Sequence, residues 1–171
     1  MRFVALVVAL FATAAWAQPS KPSYLTDEFE DKPWEEQKAQ LPPYPKPENL
    51  VRINVSAVTS FDFFVDRASV SVDKDEVIRY TLVARSAGGA TNVSFEGIRC
   101  ATRERKLYAF GSTSNNWMQA RNAEWAKIRE ATANRQHAAL ADDYFCPGRL
   151  AVRNTEEALD ALKRGGHPGS R

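Results

Sequence analysis

Val77-Ile-Arg-Tyr-Thr-Leu-Val-Ala-Arg85 is the stretch on which the fold turns. Ile78, Tyr80, Leu82 and Ala84 alternate with neighbours of mixed polarity, the period of two that places every second side chain on one face of a strand. Ser86-Ala87-Gly88-Gly89 breaks it. Val93 to Cys100 (VSFEGIRC) then returns as its hairpin partner, and Arg105 to Phe110 (RKLYAF) follows another polar turn.

Working back toward the amino end, Val51, Ile53, Val55 and Ala57 alternate with polar residues, then Phe61, Phe63 and Val65, then Val70 and Val72. These read as three further short strands, the last closed by the turn Asp73-Lys74-Asp75-Glu76. Short strands joined by short turns imply an antiparallel sheet. The carboxyl-terminal third reads as helical. Trp117, Trp125 and Ile128 can share one face of a helix from about Asn116 to Thr132. A second helical segment is expected over Gln136 to Asp142, and a third is capped by Asn154 with Glu157 three positions on and stopped by Gly165-Gly166. Strands followed by helices define an α+β domain: one antiparallel sheet of about five or six strands with the helices on one face. It spans residues 51–164, and the tail 165–171 is expected to be disordered.

Residues 18–50 have another character. Seven prolines stand there, and acids from Asp27 to Glu48 outnumber the three lysines Lys32, Lys38 and Lys46. Proline removes backbone donors and keeps the chain out of sheet interiors. Tyr24, Phe29, Trp34, Leu41 and Tyr44 are nonetheless too apolar for a linker. The reading is an extended acidic strap, with a helical turn or two at Pro33 to Gln40, whose aromatics dock either on the domain itself or on a partner; a solvated tail is the other alternative.

Ahead of the strap, Met1-Arg2, the apolar run Phe3 to Ala15 and Ala15-Trp16-Ala17 have the three parts of a signal peptide cleaved after Ala17. The run is short of the roughly 20 residues that cross a bilayer. The chain is therefore expected to be exported and periplasmic, and not membrane-spanning after processing. Its near-neutral formal charge of +2 offers no general argument for nucleic acid.

In an oxidising compartment two cysteines are read first as a bridge, so Cys100 and Cys146 are expected to pair. The alternative is a catalytic thiol with His137 as its base. No catalytic residue, metal ligand or cofactor is assigned: Gly-x-Ser-x-Gly, His-Glu-x-x-His and paired Cys-x-x-Cys motifs are all lacking, and Ser71-Val-Asp-Lys74 ends a strand instead of opening the helix its chemistry needs. One surface stands out. Arg99, Arg103, Arg105 and Lys106 gather near one turn, and Arg121 and Arg129 lie beyond it. They would meet an anionic envelope partner such as lipopolysaccharide, cell-wall polymer or an acidic protein, or else form a solvated face partly neutralised by the strap.

Several stretches together resemble the cryptic neisserial protein-like family: Glu28-Phe29-Glu30-Asp31-Lys32-Pro33-Trp34-Glu35-Glu36 with Leu41-Pro42, Phe61-Asp62-Phe63-Phe64-Val65-Asp66, Arg79-Tyr80-Thr81-Leu82, Asn92 to Cys100, Tyr108-Ala-Phe-Gly111 and Asp143-Tyr-Phe-Cys-Pro147. The resemblance implies a small exported single-domain protein of beta-proteobacteria and supplies no catalytic residue. The expected function is a non-catalytic binding or interaction protein of the cell envelope, whose partner is an envelope component or periplasmic protein. The alternative is an envelope hydrolase with a site assembled from distant carboxylates or Ser/His groups.

Overall fold

The computed structural model describes residues 33–55, 59–129 and 135–170. The signal-peptide reading, the strap before Pro33 and Ala57 lie outside them. Among the described residues the strands are β1 (Leu50–Arg52), β2 (Phe61–Val72), β3 (Val77–Ser86), β4 (Thr91–Arg99), β5 (Glu104–Gly111), β6 (Trp117–Gln119) and β7 (Ala126–Lys127). They form one antiparallel sheet in the order β1-β2-β3-β4-β5-β6, and β7 pairs β5 further along the edge that β6 occupies. The helical part is α1 (Arg135–Ala139), which widens into a π turn over Leu140–Phe145, and α2 (Thr155–Arg164).

The pattern of β3 is observed as read, with Ile78, Tyr80 and Leu82 in the core beneath the helices. Its other face is buried as well, for every residue from Val77 to Val83 is sealed from water. The Arg79 fork and the Thr81 amide find partners, while Arg79 Nε and the Thr81 hydroxyl are buried without one. Arg79 bonds Asp75 and the Gln37 carbonyl, and the Thr81 amide donates to Ser69 Oγ at 2.7 Å. The same serine explains why Phe61–Val65 and Val70–Val72 are one strand and not two. The register shifts between Asp66 and Ser71, and Ser69 fills the gap, bonding across to β3 and donating to the Asp66 carbonyl at 2.7 Å.

The expected helix from Asn116 is replaced over the described residues by β6 and β7. The three apolar residues that suggested it serve different layers. Trp117 Nε1 donates to the Pro42 carbonyl at 2.8 Å and Trp125 Nε1 to Glu36 at 3.0 Å, both in the strap, whereas Ile128 enters the core shared with the helices. One helix face cannot supply both. The helical turn expected at Pro33 to Gln40 is likewise absent: this stretch is extended, and its backbone is satisfied by the domain, with the Gln37 amide donating to Asp75 at 2.8 Å.

α2 has the cap that its sequence indicates. Asn154 Oδ1 accepts the Glu157 amide at 2.9 Å, and Gly165, at φ 74°, ends the helix in the left-handed region. The residues that follow were expected to fray, yet His167 donates its amide to the Asp143 carbonyl at 2.6 Å and Pro168–Ser170 makes a further turn. Cys100, at the end of β4, and Cys146, just after the π turn, form a disulfide with Cα atoms 5.4 Å apart. It fastens the helical layer to the middle of the sheet.

Candidate functional site

Among the described residues the helices cover only part of their sheet face, and beyond α1, toward the β3–β4 turn, a cavity of about 590 Å3 lies between them and the sheet, within the range of small-molecule sites. Phe61 and Phe63 of β2 and Leu82 and Ala84 of β3 form its apolar wall, Ser94 and Glu96 of β4 line it with oxygen, and Arg135 and Gln136 border it from the start of α1. Strand alternation puts these side chains on one face: Leu82 is paired with Ser94 and Phe63 with Ala84 across the ladders.

Glu96 organises the polar end. Its Oε2 accepts from His137 Nε2 at 2.7 Å and from the Tyr80 hydroxyl at 3.2 Å, and its Oε1 accepts from Ser94 Oγ at 2.6 Å. Glu96 and His137 side chains are both 5% exposed. Burial pushes the Glu96 carboxyl up; the His137 ring, the Ser94 hydroxyl and the Arg105 charge outweigh it and hold the group below the usual range. Tyr80, fully buried beside that carboxylate, is driven well above the ordinary phenol value and keeps its proton to donate. His137 thus gives its Nε2 proton to Glu96, and its Nδ1 is buried without a hydrogen-bond partner. Both Cys100 and Cys146 are consumed in the bridge, which removes the thiol-with-His137 alternative.

The basic residues singled out from sequence are distributed over different surfaces. Ile98 pairs with Arg105, so Arg105 lies on the helix-covered face with the Glu96 cluster, while Arg99 and Lys106 point to the strap. The Arg99 guanidinium stacks 3.8 Å over the Trp34 ring, and Lys106 Nζ lies 2.7 Å from Glu36. Arg103 pairs with Asp142 across to the π turn. Arg121 and Arg129 are exposed. Arg99 and Lys106 come together, held by the strap; Arg105 is separated from them by the thickness of the sheet. Among the described residues no group of three or more His, Cys, Asp or Glu side chains is arranged to hold a metal ion, and no helix is long and apolar enough to cross a membrane.

The Glu96 cluster was missed from the sequence because its members are scattered from Tyr80 to His137. One signal was present: Glu96 stands in the strand VSFEGIRC at a position whose alternation with Ile98 points it into the core. A carboxylate at a core position needs a partner.

Fold and site together define a small disulfide-bonded α+β domain with a strap across one sheet face and a cleft at the open end of the other. The chain belongs to the CNP1-like family, whose model matches residues 29–163. It is 30% identical over 147 residues to "Cryptic neisserial protein 1" of Neisseria gonorrhoeae (strain ATCC 700825 / FA 1090), covering 76% of this chain and 71% of that protein. No solved structure matches it.

Proposed function

We propose that this is an exported, periplasmic binding protein of the cell envelope, without chemistry of its own, whose ligand site is the cleft in front of Glu96. The observation that carries the reading is the engagement of Glu96 by three donors. A concave site with an apolar wall is joined to a carboxylate already engaged by three donors, so it orients a molecule without offering a free base. The hydrolase alternative would make Ser94 the nucleophile and Glu96 its base. A carboxyl held below its usual range is poorly matched to that role at neutral pH, and His137 is engaged with Glu96. Export is supported by the Cys100–Cys146 bridge, a bond that persists in oxidising compartments.

The test uses full-length precursor expressed with its own amino terminus and recovered from the periplasm. Intact-mass measurement should give a disulfide-bonded chain beginning at Gln18. After incubation with an organic extract of envelope, native mass spectrometry should show a small-molecule adduct that Ala84→Trp, which fills the cleft, removes. Recovery of unprocessed chain from the cytoplasm, or an extract that leaves the protein unliganded, overturns the proposal.

A further inference from the structure

The hydrogens at the polar end of the cleft can be accounted for one by one. Ser94 has a single hydroxyl hydrogen and, with Glu96 ionised, it is directed at Oε1. The Tyr80 hydroxyl and His137 Nε2 direct theirs at Oε2. Ser94 and Glu96, the β4 side chains that line the cavity with oxygen beside the amides of Asn92 and Gln136, are left with lone pairs and no hydrogen to give.

The Glu96 carboxylate already has groups that favour its ionised form. His137 and Arg105 act on the Glu96 carboxylate from within the domain, and Arg135 stands at the border. A carboxylate or phosphate seated on Ser94 and Glu96 would meet their lone pairs and the Glu96 charge in place of donors. An ammonium would enter beside the Arg105 and Arg135 guanidinium groups. Opposite this end, the Phe61 and Phe63 rings lie 6.2 Å apart at 35° to each other, and Leu82 and Ala84 continue the apolar wall.

We infer that the cleft selects an uncharged, apolar small molecule bearing a hydrogen-bond donor, a phenol, alcohol or primary amide, with its body on Phe61 and Phe63 and its donor on Ser94 Oγ and Glu96. This rests on the binding reading above and adds to it the ligand's chemistry. A site whose acceptors are desolvated by the ligand discriminates against the isostere that lacks the donor, because those acceptors are then left unpaired.

The experiment titrates the oxidised full chain with para-cresol, toluene, para-toluate and 4-methylbenzylamine, which share a ring and a methyl group and differ at the head. Affinity is read from 1H–15N shifts and the site from which amides move. The expected result is shifts centred on Ala84, Ser94 and Glu96, with para-cresol bound about tenfold or more tighter than each of the others. Ala84→Trp should abolish the shifts, and Asn92→Trp at the exposed border provides a second block where the first disturbs folding. Equal binding of all four in the cleft, or preference for toluate or the amine, overturns the donor selection and leaves the binding reading standing. Binding of none of the probes also overturns it, while the envelope-extract adduct decides the broader reading independently.

Discussion

The Arg99 guanidinium rests 3.8 Å above the centre of the Trp34 ring, joining the strap to the middle of the sheet. Trp34 also donates Nε1–H to the Asp75 carbonyl at 2.8 Å and meets Trp125 edge to face. Two positions on, Glu36 accepts from Lys106, Tyr108 and Trp125. Burial raises the Glu36 carboxyl, and these donors more than reverse it, leaving it below the usual range. A charge read in sequence as patch-forming is here internal to the domain.

Glu36→Ala should therefore destabilise the domain by about 1–3 kcal/mol, since it leaves Lys106, the Tyr108 hydroxyl and the Trp125 indole without their common acceptor. Urea unfolding followed by tryptophan fluorescence checks it. An unchanged midpoint would mean that water replaces the strap at no cost.

Removing the bridge has a larger expected effect. Cys100 and Cys146 are 46 positions apart, and chain-entropy reasoning assigns a loop of that length about 4 kcal/mol. Against a typical domain stability of about 5–15 kcal/mol, Cys100→Ser with Cys146→Ser should lower the denaturant midpoint severely or prevent folding at 37 °C. A double variant within about 1 kcal/mol of the parent would remove the disulfide from its scaffold role.

Gly97 tests the close approach of strap-side residues to β4. A Cβ there would stand 2.8 Å from the Tyr108 hydroxyl and 2.9 Å from Val77 Cγ1. Gly97→Ala is expected to cost about 1–3 kcal/mol by overpacking, with a shift in near-ultraviolet circular dichroism as Tyr108 is displaced from Glu36.

These sites mark where the sequence was legible. The hairpin of β3 and β4, the Asn154 cap and the two cysteines depend on local spacing or compartment chemistry, and each could be read from a few adjacent letters. Trp117 and Trp125 could not, because their partners, Pro42 and Glu36, lie 75 and 89 positions away. Helical spacing and edge-strand placement then look the same from the residues alone. Glu96 and His137, 41 positions apart, were hidden for the same reason. Arg99 and Lys106 were visible as charges, and only the strap's course revealed their neutralisation.

The pH dependence of stability follows from carboxyls whose partners exist only in the folded chain. At Glu96 burial raises the carboxyl and His137, Ser94 and Arg105 outweigh it; at Asp75 burial is outweighed by Arg79 and the Gln37 and Val77 amides; at Glu157 the Arg153 side chain and amide dominate and bring it from 4.5 to about 2. A carboxyl whose folded pKa lies below its unfolded one binds its proton more readily in the unfolded chain. Its stabilisation is complete above the unfolded value and is lost as pH falls through the folded one. Asp66 and Asp143 act oppositely: burial raises both, so folding gains from their protonated form and loses as pH rises through their folded values. The lowered groups include the buried Glu96 and Asp75, so stability should be highest near neutrality and decline from about pH 4.5 downward. Glu157→Gln isolates one window. Its pair with Arg153 is open to water on the arginine side and that with His167 is half-buried, so the variant should be weaker by no more than about 1 kcal/mol at pH 7, with the difference shrinking from about pH 4.5 and gone near pH 2. Glu96→Gln should cost more at pH 7, about 1.5–3 kcal/mol, because its amide nitrogen cannot accept from Ser94, Tyr80 or His137. Thermal unfolding at pH 7, 5, 3.5 and 2.5 for the three proteins reads both effects, and a Glu157→Gln deficit that stayed constant to pH 2.5 would mean that the missing interaction is not that of an ionised carboxylate.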